Sequence, residues 1–186
     1  MHLVCAIDRD GMQRMDMSGQ TTEAKNLSTP DETERLKGLL ADTNVNTDTF
    51  LATDYLNHFN EIVMLLEMIP DMPDILEEAQ EWCPKSYQQH FRDSGLSDSD
   101  LTIEAYENAP AAFREPFDET VERMNQVVIR GIETIAAAVD SPRPEELAAA
   151  AATASRLLQR LVDVASAIIH GNTPQLEQGE IDELLS

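Results

Sequence analysis

Positive charge is scarce in this chain: 13 lysines and arginines face 35 aspartates and glutamates, a formal net charge of −22. Such a surface repels phosphate backbones and anionic lipid headgroups, so neither nucleic acid nor a membrane surface is an expected partner. Aromatic residues make up only 5% of the 186 residues, so the core of a single average domain has to come from Leu, Ile, Val, Ala and Met. Cysteine is confined to Cys5 and Cys83, too few for a disulfide framework. Long apolar runs are missing too. The LVCAI segment at residues 3–7 is far shorter than a signal-peptide core, and no stretch approaches the roughly 18 apolar residues of a membrane span. Together these absences lead us to expect a soluble protein of a reducing cytoplasm. There is also no Gly-rich phosphate loop, no Ser nucleophile elbow and no paired Cys-x-x-Cys, so conventional enzymes find little support and no resident cofactor or metal is expected.

What is present is helical periodicity. Residues 1–30 mix Gly, Ser, Thr, Gln and Asp without a sustained pattern and read as a disordered leader, in which Met15 or Met17 could be the true initiator. Thr29, Pro30, Asp31 and Glu32 then form an N-cap, a first-turn proline and first-turn acids, predicting a short helix to about Asp42. A six-turn amphipathic helix is expected from Thr47 or Asp48 to Ile69, carrying Leu56, Phe59, Val63 and Leu66 at spacings of three and four. Shorter helices punctuated by proline follow, over 74–82, 86–92 and 97–110. Pro116 is expected to open a long helix with Phe117, Val121, Met124, Val128, Ile132, Ile135 and Val139 on one face. After the turn at 140–144, a second long helix runs over 145–170, with Gly171 as its C-cap. Two long helices joined so briefly imply an antiparallel hairpin. The alanines at 148–152 would let a neighbour approach closely, either the helix ending at Ile69 or the same hairpin of a second subunit in a homodimer. The expected fold is thus an all-α helical bundle: leader 1–30, helical domain 31–170 with its hairpin at 116–170, and a flexible linker and C-terminal peptide at 171–186.

Several side chains could carry chemistry. Asp54, His58 and Glu61 fall within a roughly 60° arc of one helix, given about 100° per residue, and would make at most half a metal site. His58 also sits at the edge of the apolar stripe, where a hydrogen-bonded boundary histidine is the simpler expectation. His90 and His170 are candidate phosphoacceptors or general bases, but His170 at a helix C-terminus is explained by the dipole alone. Met64, Met68 and Met72, spaced by four, are expected to pack.

The C-terminus carries the sharpest signal. Behind Gly171, Asn172, Thr173 and Pro174 the chain reads LEQGEIDELLS over 176–186, placing Ile181, Leu184 and Leu185 on one face of a short helix. Such a peptide is too short to be stable alone and is suited to folding in a partner's groove. The pattern L-x-Q-x-E-I-D-x-L-L resembles the N-terminal peptide of the flagellar switch protein FliM. Its Gln-x-x-Ile-Asp-x-Leu-Leu part is similar to the tail of the CheZ chemotaxis phosphatases, which the position behind a long hairpin also matches. Both peptides bind the phosphorylated receiver CheY, so the resemblance implies that Gln178, Glu180, Ile181, Asp182, Leu184 and Leu185 contact a CheY-type receiver domain. In the CheZ family an acid and a Gln one turn apart enter the receiver's active site, where the Gln positions a water against the aspartyl phosphate. Glu122 and Gln126 are the matching pair here, and the Mg²⁺ would belong to the receiver. The resemblance thus implies a protein aspartyl-phosphate phosphatase of chemotaxis or flagellar signalling. The competing expectation is a non-enzymatic helical adaptor that recruits partners through its acidic tail. Residues 48–110, which the resemblance does not reach, could hold a function of their own.

Overall fold

The computed structural model describes residues 30–172, and among these the chain is all α-helical. The pairing of extended backbone is limited to one isolated antiparallel bridge between Val45 and Ala52. Helix α1 spans Pro30–Leu40, opens with Asp31 and Glu32 in its first turn, and buries Leu36 and Leu40. The long helix expected from residue 47 or 48 starts later. A 3₁₀ turn at Thr53–Leu56 leads into α2, Asn57–Met68. The delay has a local cause in Asn46, whose Oδ1 accepts the backbone N–H of Asp48 at 2.9 Å and of Thr49 at 3.0 Å. Its backbone closes the loop as well, accepting from the Phe50 N–H at 2.8 Å and donating to the Leu51 carbonyl at 2.9 Å. An Asx turn of this kind offers the backbone an alternative to helix. It turns Phe50 into the left-handed region at φ 61° and drives Phe50 and Leu51 into the core.

Beyond Pro70, a 3₁₀ turn at Pro73–Ile75 precedes the short α3, Leu76–Gln80. Helix α4, Tyr87–Ser94, is capped by Ser86, whose Oγ accepts the Gln89 N–H at 3.1 Å, and ends at Gly95 with φ 68°. Helix α5 covers Ser99–Glu107. The first long C-terminal helix, α6, runs over Ala111–Val139 and so begins before Pro116, which lies inside it. Pro110 supplies the start: its carbonyl accepts the N–H of Phe113 at 2.9 Å and of Arg114 at 3.0 Å. At Pro116 the helix forgoes one backbone hydrogen bond near its N-terminal end and continues. Helix α7, Pro144–Ile169, has proline in its first turn and is followed by Gly171 at φ 78°, the expected C-cap position.

Packing follows from the apolar faces. Helices α6 and α7 lie in contact along their lengths, burying Met124, Val128 and Ile135 from one and Leu158, Leu161 and Ala165 from the other. The turn between them is held by Ser141, whose hydroxyl donates to Glu146 Oε2 at 2.6 Å, and by the Arg143–Glu146 ion pair. Helix α2 rests on α7, and Thr49 Oγ1 donates to the Ile169 carbonyl at 2.7 Å, tying the Asn46 loop to the end of α7. Of the alanine run, Ala151 is buried while Ala148, Ala149 and Ala152 are exposed. No helix among the described residues is long and apolar enough to cross a membrane.

Helices α6 and α7 approach closely at Gly131. A Cβ placed there would lie 2.8 Å from the Cβ of Ala154, whereas one at Gly38, in α1, would meet nothing within 4 Å. Gly131→Val is expected to lower stability by about 1–3 kcal/mol through overpacking. Gly38→Ala should raise it by about 0.5–1 kcal/mol through helix propensity and a less flexible unfolded chain. Urea unfolding midpoints check both, and equal effects at the two glycines would refute the close approach.

Candidate functional site

The ring of Tyr55, in the 3₁₀ turn before α2, lies 5.8 Å from Phe59, 5.2 Å from Tyr87, 5.5 Å from His90 and 5.8 Å from Phe117 between ring centroids. Its hydroxyl donates to the Lys85 carbonyl at 2.7 Å, and the Tyr87 hydroxyl accepts the Ala52 N–H at 2.9 Å. Burial pushes both phenols above their ordinary range, so both remain neutral. Tyr106 stacks on Tyr87 at 4.3 Å and 12°. These contacts set α4 and α5 beside the N-terminal half of α6.

Helix α6 therefore presents two faces. Phe117, Met124 and Val128 point into the core, with Val121 partly buried beside them. Glu122 and Gln126 are exposed on the other side, and Gln126 Nε2 donates to Glu122 Oε1 at 3.1 Å. Side chains four apart on a helix are neighbours, so the pair is held by local geometry alone. Glu122 also lines an open cleft of about 300 Å³ together with Lys85, Tyr106, Asp118, Val121 and Asn125. In that cleft the Tyr106 hydroxyl donates to Asp118 Oδ1 at 2.7 Å. Partial burial pushes the Asp118 carboxyl up from its ordinary range, and it pushes the Tyr106 phenol up as well. Lys85 Nζ pairs with Asp93 Oδ2 at 3.0 Å and holds that carboxyl below its usual range. Asn125 Oδ1 is buried and has no hydrogen-bond partner. Chemically, a carboxylate bonded to a carboxamide can fix the direction of a water or an incoming cation; it contains no strong nucleophile.

Sequence reading picked out Glu122 and Gln126 and missed Asp118, Asn125 and Lys85. Asp118 and Asn125 share the Glu122 face at i−4 and i+3, a spacing that could have been read. Lys85 arrives only through the tertiary fold. The expected partner-binding residues Gln178, Glu180, Ile181, Asp182, Leu184 and Leu185 lie outside the described residues, as do residues 1–29 of the expected leader 1–30, whose last residue, Pro30, opens α1.

The histidines fall out differently. His58 is buried, its Nε2 lies 3.0 Å from the Cys83 carbonyl as a donor, and its ring stacks on Trp82 at 4.7 Å and 18°. Trp82 Nε1 donates in return to the His58 carbonyl at 3.2 Å. His58 is thus a packed, hydrogen-bonded histidine, and among the described residues no group of three or more His, Cys, Asp or Glu comes together to hold a metal. His90 is half-buried and packs edge-on against Tyr55 and Phe91. His170 is exposed at the end of α7. The methionines overturn expectation, because Met64, Met68 and Met72 are 62%, 38% and 46% exposed. They fall opposite the buried face of α2, so at a four-residue spacing they extend a row the core does not use.

No protein-family model matches the chain, and neither curated proteins nor solved structures give a match to it.

Burial first, and then the nearby His90, lower the His58 pKa to about 4. The unfolded chain therefore binds a proton at His58 that the folded chain refuses. That contribution to stability is complete above about pH 6.5, the free-histidine value, and is lost as pH falls toward 4. Urea unfolding followed by Trp82 fluorescence should show a smaller loss over this window for His58→Gln than for the parent chain. Parallel curves for the two would contradict the buried neutral imidazole.

Proposed function

We propose that this chain regulates a phosphorylated CheY-type response regulator and stimulates hydrolysis of its aspartyl phosphate, in chemotaxis or flagellar signalling. The observation that carries this reading is the pair on α6: Glu122 and Gln126 are exposed, adjacent and joined by a 3.1 Å hydrogen bond. With Nε2 donating to Glu122, Gln126 keeps its Oε1 free to accept a hydrogen bond from a water placed in line with the phosphoryl group. Glu122 meets a cation of the receiver. This is catalysis by positioning, and the Mg²⁺ that neutralises the phosphoryl oxygens is held by the receiver. The chain contributes no metal or cofactor of its own.

The peptide containing Gln178, Glu180, Ile181, Asp182, Leu184 and Leu185 serves as a tether. Folded in a groove of the receiver, it raises the receiver's effective concentration beside α6. In this reading α6 and α7 form an antiparallel hairpin that holds the catalytic pair rigid and pairs with a second copy. The adaptor alternative keeps the tether and removes the chemistry: it gives receiver binding without faster hydrolysis.

Dephosphorylation of a CheY-type receiver from the same genome separates the halves. Gln126→Ala is expected to slow hydrolysis about 100-fold at saturating receiver, the cost of losing the positioned water. Removing residues 178–186 should leave that limiting rate unchanged and raise the receiver concentration needed by about 100-fold or more. An unchanged rate in Gln126→Ala would sink the catalytic half, and an unchanged concentration dependence the tether.

A further inference from the structure

One face of helix α2 packs into the core, and on its other side Met64 and Met68 are left without cover among the described residues. His58, Phe59, Ile62, Val63 and Leu66 are buried. By the roughly 100° step of a helix, Met64 and Met68 lie on the far side of the cylinder. The row continues past the helix end because the Met72 N–H donates to the Met68 carbonyl at 2.9 Å and the Asp71 N–H to the same carbonyl at 3.1 Å. The chain thus keeps a helix-like turn beyond Pro70, and Met64, Met68 and Met72 line an open groove of about 270 Å³ with Glu67 and Asp71. An unbranched, polarizable side chain adapts to different apolar partners, and a row of exposed large apolar residues on a surface marks an interaction site.

The acidic groove wall, in an acidic stretch of sequence, favours a basic partner. Between residues 48 and 84 the chain has nine acidic residues and no lysine or arginine. Glu67 and Asp71 stand in the groove wall itself, and both are exposed. The peptide at 176–186 is acidic, so like charge opposes its lying here. We propose that this methionine groove is a docking site for a basic amphipathic helix of a partner protein, whose apolar anchors at i and i+4 seat on Met64, Met68 and Met72. Lysines or arginines flanking the anchors face Glu67 and Asp71. This is helix-in-groove recognition with complementary charge. It stands on α2 and does not depend on the receiver reading on α6.

The test is a titration of the full chain, with its methionine methyls ¹³C-labelled, by a designed 18-residue helical peptide with leucines at i, i+4 and i+8 and lysines elsewhere. Saturable shifts are expected at Met64, Met68 and Met72, with Met124, fully buried in α6, unmoved. Met64→Gln combined with Met68→Gln should weaken binding at least tenfold. The charge reversals Glu67→Lys and Asp71→Lys should weaken it further and flatten its salt dependence. All four positions are exposed, so circular dichroism should show an unchanged fold. A scrambled peptide of the same composition that binds equally well would overturn the proposal, reducing it to general attraction by a chain of −22. So would methionine methyls already shielded from a soluble paramagnetic probe in the free chain, whether by residues 1–29 or, at rising protein concentration, by a second copy.

Discussion

The packing of Tyr55 is the contact on which the arrangement of this protein depends. Seven of the chain's nine aromatic residues join one cluster through it, along with His58 and His90. Aromatic pairs contribute about 0.5–1.5 kcal/mol each beyond the area they bury, and here they join elements that share few other contacts. The two hydroxyls reach the backbone at Lys85 and Ala52, so the cluster fastens the loop before α2 and the segment before α4 by hydrogen bonds as well as by packing. With only 5% aromatic content, concentrating the rings at one node lets short, proline-punctuated helices be held against two long ones. The long helices need no such device, because each carries a continuous apolar face.

The same node determines what α6 can present. Phe117 turns inward toward Tyr55, which leaves Asp118 and Glu122 of α6 beside Lys85 and Tyr106, with Gln126 exposed one turn further on. The segment between α1 and α6, without a counterpart in the resemblance, therefore forms one wall of the cleft next to the proposed catalytic pair. Acid predominates on both proposed surfaces, the α6 cleft and the methionine groove of α2. A strongly acidic chain discriminates by charge before it makes contacts, and it favours partners that bring their own cations.

Much of the helical framework was legible because local signals and tertiary packing agree. Pro30 with its first-turn acids, Ser86 at the start of α4 and Gly171 after α7 each fall where cap chemistry puts them. The apolar period of residues 117–139 is that of the buried face of α6. Disagreements arise where one side chain redirects the backbone or where exposure is decided at a distance. Asn46 replaces two expected helical turns with a loop that carries Phe50 at positive φ. Pro116 resembles a helix start, yet Pro110 provides the start and the helix tolerates Pro116 within it. Met64 and Met68 match the composition of a packed stripe, but α2 is already filled on its other side, and no periodicity argument reports which of two apolar faces finds a partner. In the candidate site, the adjacency of Glu122 and Gln126 follows from helix geometry alone. Lys85 and the orphaned Asn125 oxygen depend on how α4 meets α6, which no spacing along the chain encodes.

The receiver reading makes one demand that neither an adaptor for other partners nor a coincidental tail would meet: binding must depend on the phosphoryl state. The most direct measurement is the affinity of the full chain for CheY-type receivers from the same genome, with and without the phosphoryl mimic beryllofluoride, beside a chain lacking residues 178–186. Binding that strengthens with beryllofluoride and is lost with the tail is the result expected. Equal binding in both states, or none to any receiver, would contradict it and make the C-terminal resemblance coincidental.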